Sequence, residues 1–550
     1  MDFVQFRKEI ERTQSNRWTP RQKLLDAFER ALWGELYAHK NAPYTQEFFG
    51  GLETGRRLRL DERRAAVEVR LPWMLVREIV GETWGEEHRP NILVHDDDYT
   101  ATWVAAFLAD SSLWLTMIEA SIEASVGSAA VVMRVLGDDS GSPGRYYFEV
   151  WPAKECIPLF VRHQPDKLRE LSRTYFVAAD TLRSEGYDVD ALEEEWENKR
   201  FGRTAAGRRR SVAQKNATTD EWVIRVVLDA NAEMWYQPVP RWYYEQEDWT
   251  DAEWILDEDR TFTHGLGEVP AVWLRPLPFR HKMFPDGLCL FEPAINFQFR
   301  IDRTLSQTGR AFDYAGDPQL AVTRGTEGAG SFGDDDELEE VGATSSDMIE
   351  LGPEGKAEFV EISGDGLRVA IESYVKMLMQ LAREVAGMSM IDNESKPGVT
   401  TSGIALKLLR NAIRTVVGVL RITLGEQGLL PLVRMAMRVA QRVNVDLPSL
   451  AARLQRNEAT GTPDPEAFME LQWPNAYQPE GQDKLYEVQA LKAAVSAING
   501  PPLISMETGI ANAAPLFDVQ DSAKELDAVL RDASLLAKLQ PERDAQGDNK

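Results

Sequence analysis

The chain has 550 residues and carries 62 Lys and Arg against 88 Asp and Glu, a net charge of −26. A balance this acidic argues against a protein that grips DNA or an anionic membrane through a basic surface, because neutralising phosphates needs clustered Lys and Arg. With 43% hydrophobic and 27% charged residues, the composition is that of a globular protein able to bury cores, which excludes disorder throughout.

The length exceeds one hydrophobic core, and at roughly 150 residues per domain it implies three or four units. Cys156 and Cys289 offer neither a disulfide framework nor a CxxC metal pair, which fits a reducing compartment. The start, MDFVQF, lacks the charged and apolar regions of a signal peptide. No apolar run in the sequence approaches the roughly 20 residues of a membrane span. The expectation is a soluble intracellular product.

From Phe3 to Tyr37 the pattern is helical, broken near Thr19-Pro20, where Thr19 reads as an N-cap with Pro at the first helical position. Val67 to Leu71 alternates like a strand, and Pro72 to Trp84 returns to helical spacing. Asp98 to Gly127 reads as one long amphipathic helix. Strands are expected at Ala129 to Val135 and Tyr146 to Phe160, with a turn at 138–144 between them. Residues 194–218 turn polar, with Arg208, Arg209 and Arg210 among them, and read as a solvated loop in preference to a nucleic-acid contact.

Residues 221–273 hold Trp and Tyr in short β-like runs, at Trp222 to Val227, Trp235-Tyr236, Trp242 to Tyr244 and Trp254 to Leu256. Their acidic neighbours, Glu245, Asp248, Asp251 and Glu253 among them, suit a twisted sheet core better than a base-stacking surface.

Leu290 to Asp313 is a helix candidate about 36 Å long, with Ile301, Leu305, Thr308 and Phe312 on one face. Gly366 to Gly387 is a second, about 33 Å long, with Leu367, Ile371, Leu378 and Val385 in a stripe. Between them lie strand-like segments at Gln319 to Val322, Asp347 to Leu351 and Ala357 to Ile362, and a Gly-rich acidic loop from Gly325 to Glu340. The picture is a helical stalk carrying a β-rich tip. A loop without helical period, Met388 to Val399, precedes a long helix capped by Thr400, Thr401 or Ser402 and running to about Val443, with an interruption expected at Gly425 to Pro431. Ser449 to Glu466 reads as a polar connection. Gln482 to Leu539 reads as two helices around Asn499 to Pro502, followed by an acidic tail.

Catalytic signatures are sparse. Gly50 to Arg57 has phosphate-loop glycine spacing but lacks the Lys-Ser/Thr that contacts phosphate and magnesium. His95-Asp96-Asp97-Asp98 could supply hard-metal ligands, yet carboxylates in such a run also favour a helix N-terminus. The histidines have no HExxH spacing, and no GxSxG, DFG-like or dinucleotide fingerprint occurs. No catalytic residue, metal ligand or cofactor is assigned.

Three segments taken together resemble the portal proteins of tailed bacteriophages. Asp286 to Ser306 (DGLCLFEPAINFQFRIDRTLS) looks like the beginning of the family's first stem helix. Ser402 to Lys407 (SGIALK) is similar to the segment that opens its long helix after the tunnel loop. Leu503 to Thr508 (LISMET), with Pro515 and the acidic stretch Asp518 to Leu526, looks like its crown. The likeness spans the chain from about residue 60 and departs from the family mainly in residues 194–260.

The resemblance implies an α+β fold built as a portal-like ring subunit, with long stem helices, a β-rich clip and wing, and a helical crown. The implied parts are a wing in residues 1–285, stem helices in 286–313 and 366–387, a clip in 314–365, a tunnel loop in 388–399, a wing long helix and connection in 400–481 and a crown with tail in 482–550. It implies a structural and non-enzymatic role at the capsid vertex of a virion made in the bacterial cytoplasm, as the channel for double-stranded DNA in packaging and ejection. The implied partners are eleven further copies in a dodecamer, the packaged DNA, the terminase large subunit, the head-tail adaptor, and the major capsid and scaffolding proteins, with no membrane.

On this reading Asp392, Asn393, Glu394, Ser395, Lys396 and Pro397 line the tunnel loop nearest DNA. Arg303, Arg310, Lys376 and Arg383, like Arg300, are charged stem positions facing the channel or neighbouring copies. Asp334, Asp335, Asp336, Glu337, Glu339 and Glu340 give the clip an acidic docking face, unless they are simply a solvated loop. A metal-dependent hydrolase using Asp96 to Asp98, and a different capsid-associated assembly protein, are the alternatives.

Overall fold

The computed structural model describes residues 2–474 apart from 45, 47, 50–55, 61, 96, 137–143, 202–220, 247–248, 278–284, 317–319, 324–355, 360–364, 388–410, 444 and 458–460, together with positions 489, 492 and 531. In chain order the helices are α1 Phe3–Ile10, α2 Pro20–Trp33, α3 Leu71–Trp84, α4 Asp98–Asp110, α5 Leu113–Ala124, α6 Ala179–Ser184, α7 Val189–Phe201, α8 Arg241–Tyr244, α9 Glu292–Gly316, α10 Asp365–Val385, α11 Asn411–Leu420, α12 Leu430–Ala440 and α13 Pro448–Asn457. The strands are β1 Phe48–Phe49, β2 Arg56–Arg57, β3 Asn91–Val94, β4 Ala129–Leu136, β5 Arg145–Pro152, β6 Cys156–Val161, β7 Gln164–Ala178, β8 Glu221–Leu228, β9 Ala232–Tyr236, β10 Val239–Pro240, β11 Leu256–Thr263, β12 Ala271–Leu274, β13 Leu320–Thr323, β14 Lys356–Phe359 and β15 Met469–Gln472. Helices and antiparallel sheets together make an α+β fold.

Two compact units divide the chain. One comprises Met1–Leu75 with Phe291–Ala386, the other Val76–Leu290 with Gly387–Lys550.

In the first unit, α1 and α2 each begin with a capping box, on Asp2 with Gln5 and on Thr19 with Gln22, so side chains satisfy amide groups that the first helical turn leaves without partners. Gly34 ends α2 at φ 81°, the left-handed region that favours glycine, and Arg70 lies where a Cβ would stand. Phe3, Phe6, Phe28, Phe291 and Phe299 stack into a core with ring centroids 5.1–6.4 Å apart. The helices α9 and α10 pack together, and between them in sequence β13 pairs antiparallel with β14, Leu320 opposite Phe359 and Thr323 opposite Lys356.

Several expectations are corrected here. Val67 to Leu71 is no strand: residues 67–70 form no ladder, and Leu71 already opens α3. The buried face of α9 is not the stripe Ile301, Leu305, Thr308, Phe312. Ile301 is buried, but Phe312 is 54% exposed, while Gln298, Asp302 and Ser306 are at most 1% exposed. In α10, Leu378 and Ala382 are buried but Val385 is exposed.

The second unit contains a six-stranded antiparallel sheet, ordered β11-β9-β8-β7-β6 with β10 on β8, a three-stranded sheet β12-β4-β5, and the pair β15-β3. The interior strand β8 (EWVIRVVL) is buried nearly throughout, as apolar β-branched residues between two neighbouring strands dictate. Trp196, Trp242, Tyr243, Tyr244, Trp249 and Trp254 pack on one another with centroids 5.0–6.1 Å apart, so the Trp-rich segment builds core. Trp242 to Tyr244, expected as strand, form the short helix α8, and Trp254 precedes β11. Cys156 and Cys289 are both buried thiols.

The expected single helix from Asp98 to Gly127 is two, α4 and α5, meeting at 67° across Ser111-Ser112. The Ser111 amide closes α4 on Phe107 O, and Ser112 takes the N-cap position of α5. The interruption expected at Gly425 to Pro431 is instead a π-helical stretch, Arg421–Leu429, which joins α11 to α12. Thr423 Oγ1 anchors it by donating to Pro276 O at 2.8 Å. A Cβ on Gly428 would lie 2.6 Å from Leu274, so glycine permits this close approach to β12. The segment Thr415–Ala440 has a window of mean hydropathy 1.4, long and apolar enough for a membrane span, contrary to the sequence reading, although half of that window is buried inside the protein. The polar connection expected from Ser449 contains the helix α13.

Candidate functional site

The site is built on α9 and α10. Over 25 and 21 residues they extend about 38 and 32 Å. Arg300 Nε donates to Tyr374 Oη at 3.1 Å, a polar contact between the two helices. Arg300, Arg303 and Arg310 follow helical spacing along α9 over about 15 Å. Arg300 and Arg303 are exposed, whereas Arg310 is half-buried. On α10, Lys376 Nζ lies 3.2 Å from Glu372 one turn earlier, and Arg383 is half-buried. Arg303 and Arg310 thus lie on α9, and Lys376 and Arg383 on α10. Asp392 to Pro397 and Asp334 to Glu340, like Arg208 to Arg210 and the crown segment, lie outside the described residues.

Each long helix also presents apolar surface to water. Val369, Met377, Leu381 and Val385 are 57%, 47%, 38% and 53% exposed at i, i+8, i+12 and i+16 along α10, one ridge of its surface. Phe312 on α9 is exposed as well. Isolated exposed apolar residues need no explanation, but a ridge along one helix marks a surface suited to burial against a partner.

The buried side of α9 carries a line of polar groups that periodicity did not reveal. Ser306 Oγ accepts the amides of Ala66 and Val67 at 3.0 and 3.2 Å, and Asp302 Oδ1 accepts that of Val69 at 2.9 Å. Tyr37 Oη donates to Asp302 Oδ2 at 3.3 Å. These bonds replace the ladder that a strand would have supplied to residues 66–69. Burial pushes the Asp302 carboxyl up to about 7; the Val69 amide pulls it down and the charge of Glu68 pushes it up further. Burial raises Glu68 too, and the Tyr37 phenol is pushed up by burial and by Asp302. The signal available in the sequence was the i, i+4, i+8 spacing of Gln298, Asp302 and Ser306.

The acidic run near residue 97 is a helix terminus. Asp97 caps α4, accepting from the Thr100 amide at 2.9 Å. Burial pushes its carboxyl up, but the bonds from Thr100 and Tyr99 prevail and hold it below the usual range. Among the described residues, no three His, Cys, Asp or Glu side chains converge as a metal site.

No protein-family model and no curated protein matches the chain.

Proposed function

We propose that the chain is the subunit of a portal ring of the tailed-phage type: a structural, non-enzymatic channel for double-stranded DNA at one capsid vertex. The observation that carries the reading is the pair of long packed helices, α9 and α10, with an antiparallel strand pair between them in sequence. A helix pair with strands between its members in sequence supports the stem, and part of the clip, that the resemblance implies. The exposed apolar ridge of α10 supports a homo-oligomer, since neighbouring copies in a closed ring would remove it from water.

Charge fits the role. A lining that bound phosphates everywhere would stall a moving duplex, whereas a subunit of net charge −26 with a few cations on its long helices lets DNA slide past. Twelve copies turn each of Arg303, Arg310, Lys376 and Arg383, and Lys396 of the tunnel loop, into a ring of positive charge. Terminase and the head-tail adaptor would dock in turn on the clip, through Asp334 to Glu340, and capsid and scaffolding proteins around the wing. Hydrolysis of ATP belongs to a separate motor. Deleting residues 393–398 tests the loop assignment: rings should still assemble while particles fail to package or retain DNA, and full genomes in normal yield would refute it.

A further inference from the structure

The docking of residues 66–69 on α9 has three features that a purely structural contact does not need. Its acceptor, Asp302, is a carboxylate with no exposed surface and no cation bonded to it among the hydrogen bonds described. Gln298, one turn earlier on the same face and also without exposed surface, lies beside Asp302 and lowers its carboxyl, while Glu68 Oε1 is buried without a hydrogen-bond partner. Arg70, the residue that joins the docked segment to α3, sits at φ 53° in the left-handed region, where a side chain other than glycine or asparagine is strained. Such a conformation persists only while its surroundings hold it.

We propose that residues 66–69 and α9 form a proton-controlled latch, in which Asp302 keeps its proton while the segment is docked and surrenders it when the segment lets go. A protonated Asp302 has an O–H to give, and the Gln298 amide, whose orientation follows from its bonding, can accept it. The charges acting on the pair come from each neighbouring element: Tyr37 beyond α2, Glu68 within the segment, and around Glu68 the side chains of Glu35, Arg64 and Arg70. The latch does not rest on the portal reading, for it concerns only the first unit.

The sign follows from linkage. Burial raises Asp302 to about 7 in the docked state, against about 3.9 for an ordinary aspartate. The docked state therefore holds a proton that the released state loses, and docking weakens as pH rises between those values and levels off above about 7. Release relaxes Arg70.

Hydrogen exchange of peptides covering residues 64–70 in the full chain, corrected for intrinsic rates, tests this across pH 5 to 8. Protection should fall by up to about tenfold per pH unit below pH 7 and then flatten. D302N should lose the break near pH 7, leaving only the slope that Glu68, raised by burial as well, contributes at lower pH. E68Q, which leaves the docking bonds in place, should move the break to lower pH. A flat wild-type profile overturns the latch. So does a D302N profile that keeps the break near pH 7 or, should D302N not fold, an E68Q break that stays where the wild type has it.

Discussion

Arg134 on β4 and Glu233 on β9 join the three-stranded sheet to the six-stranded sheet through two hydrogen bonds, of 3.2 and 2.7 Å. Glu149 extends the link: it accepts from Arg134 Nη1 at 2.5 Å and from Arg173 Nη1 at 2.8 Å, and Arg173 Nε also donates to Glu155 at 2.8 Å. Both guanidinium groups lie over the buried Trp151 ring, 5.7 and 5.2 Å from its centre. Glu233 is 3% exposed at its side chain, where Arg134 is its ion-pair partner and Trp235 Nε1 donates to it at 3.0 Å. Replacing Arg134 by Ala strands that carboxylate, and chemical denaturation should show a loss of about 3–5 kcal/mol. The double change to a well-packed apolar pair should lose much less.

The pH dependence of overall stability should carry the signature of Asp302. A raised carboxylate contributes stability at low pH that is lost as pH rises from its unfolded value toward about 7. Denaturant midpoints for D302N should therefore lose less between pH 5 and 7 than those of the wild type, the difference being of order 1–3 kcal/mol. Equal slopes for the two proteins would exclude Asp302 as the source.

Asp97→Ala separates a cap from a metal ligand. Loss of the bonds to Thr100 should cost about 1 kcal/mol and leave the chain without any new dependence on divalent cations. A metal-stimulated hydrolysis present in the wild type and abolished in the variant would favour the hydrolase alternative.

Much of the fold was legible. The N-cap at Thr19 follows from Thr-Pro at the start of α2, and the long helices α9 and α10 appear within three residues of where periodicity places them. What periodicity missed depends on partners far away in sequence. Val67 and Val69 alternate like strand residues, yet their amides bond to Ser306 and Asp302 more than 230 positions away, so no ladder forms. The same pairing buries Gln298, Asp302 and Ser306 while Phe312 faces outward, so of the stripe inferred from hydrophobicity only Ile301 is fully buried. The bend between α4 and α5 escaped notice because apolar spacing continues through Ser111-Ser112.

The ridge of Val369, Met377, Leu381 and Val385 makes a prediction for assembly. M377E with L381E places two charges on an exposed face, so the subunit should fold with unchanged circular dichroism while light scattering reports loss of the oligomer. An oligomer of unaltered mass would remove this face from the interface.

Negative-stain microscopy of the purified chain tests the central claim most directly. The portal reading predicts rings of one size with an axial channel wide enough for a duplex. A monodisperse monomer at high protein concentration, across several salt conditions, would contradict it.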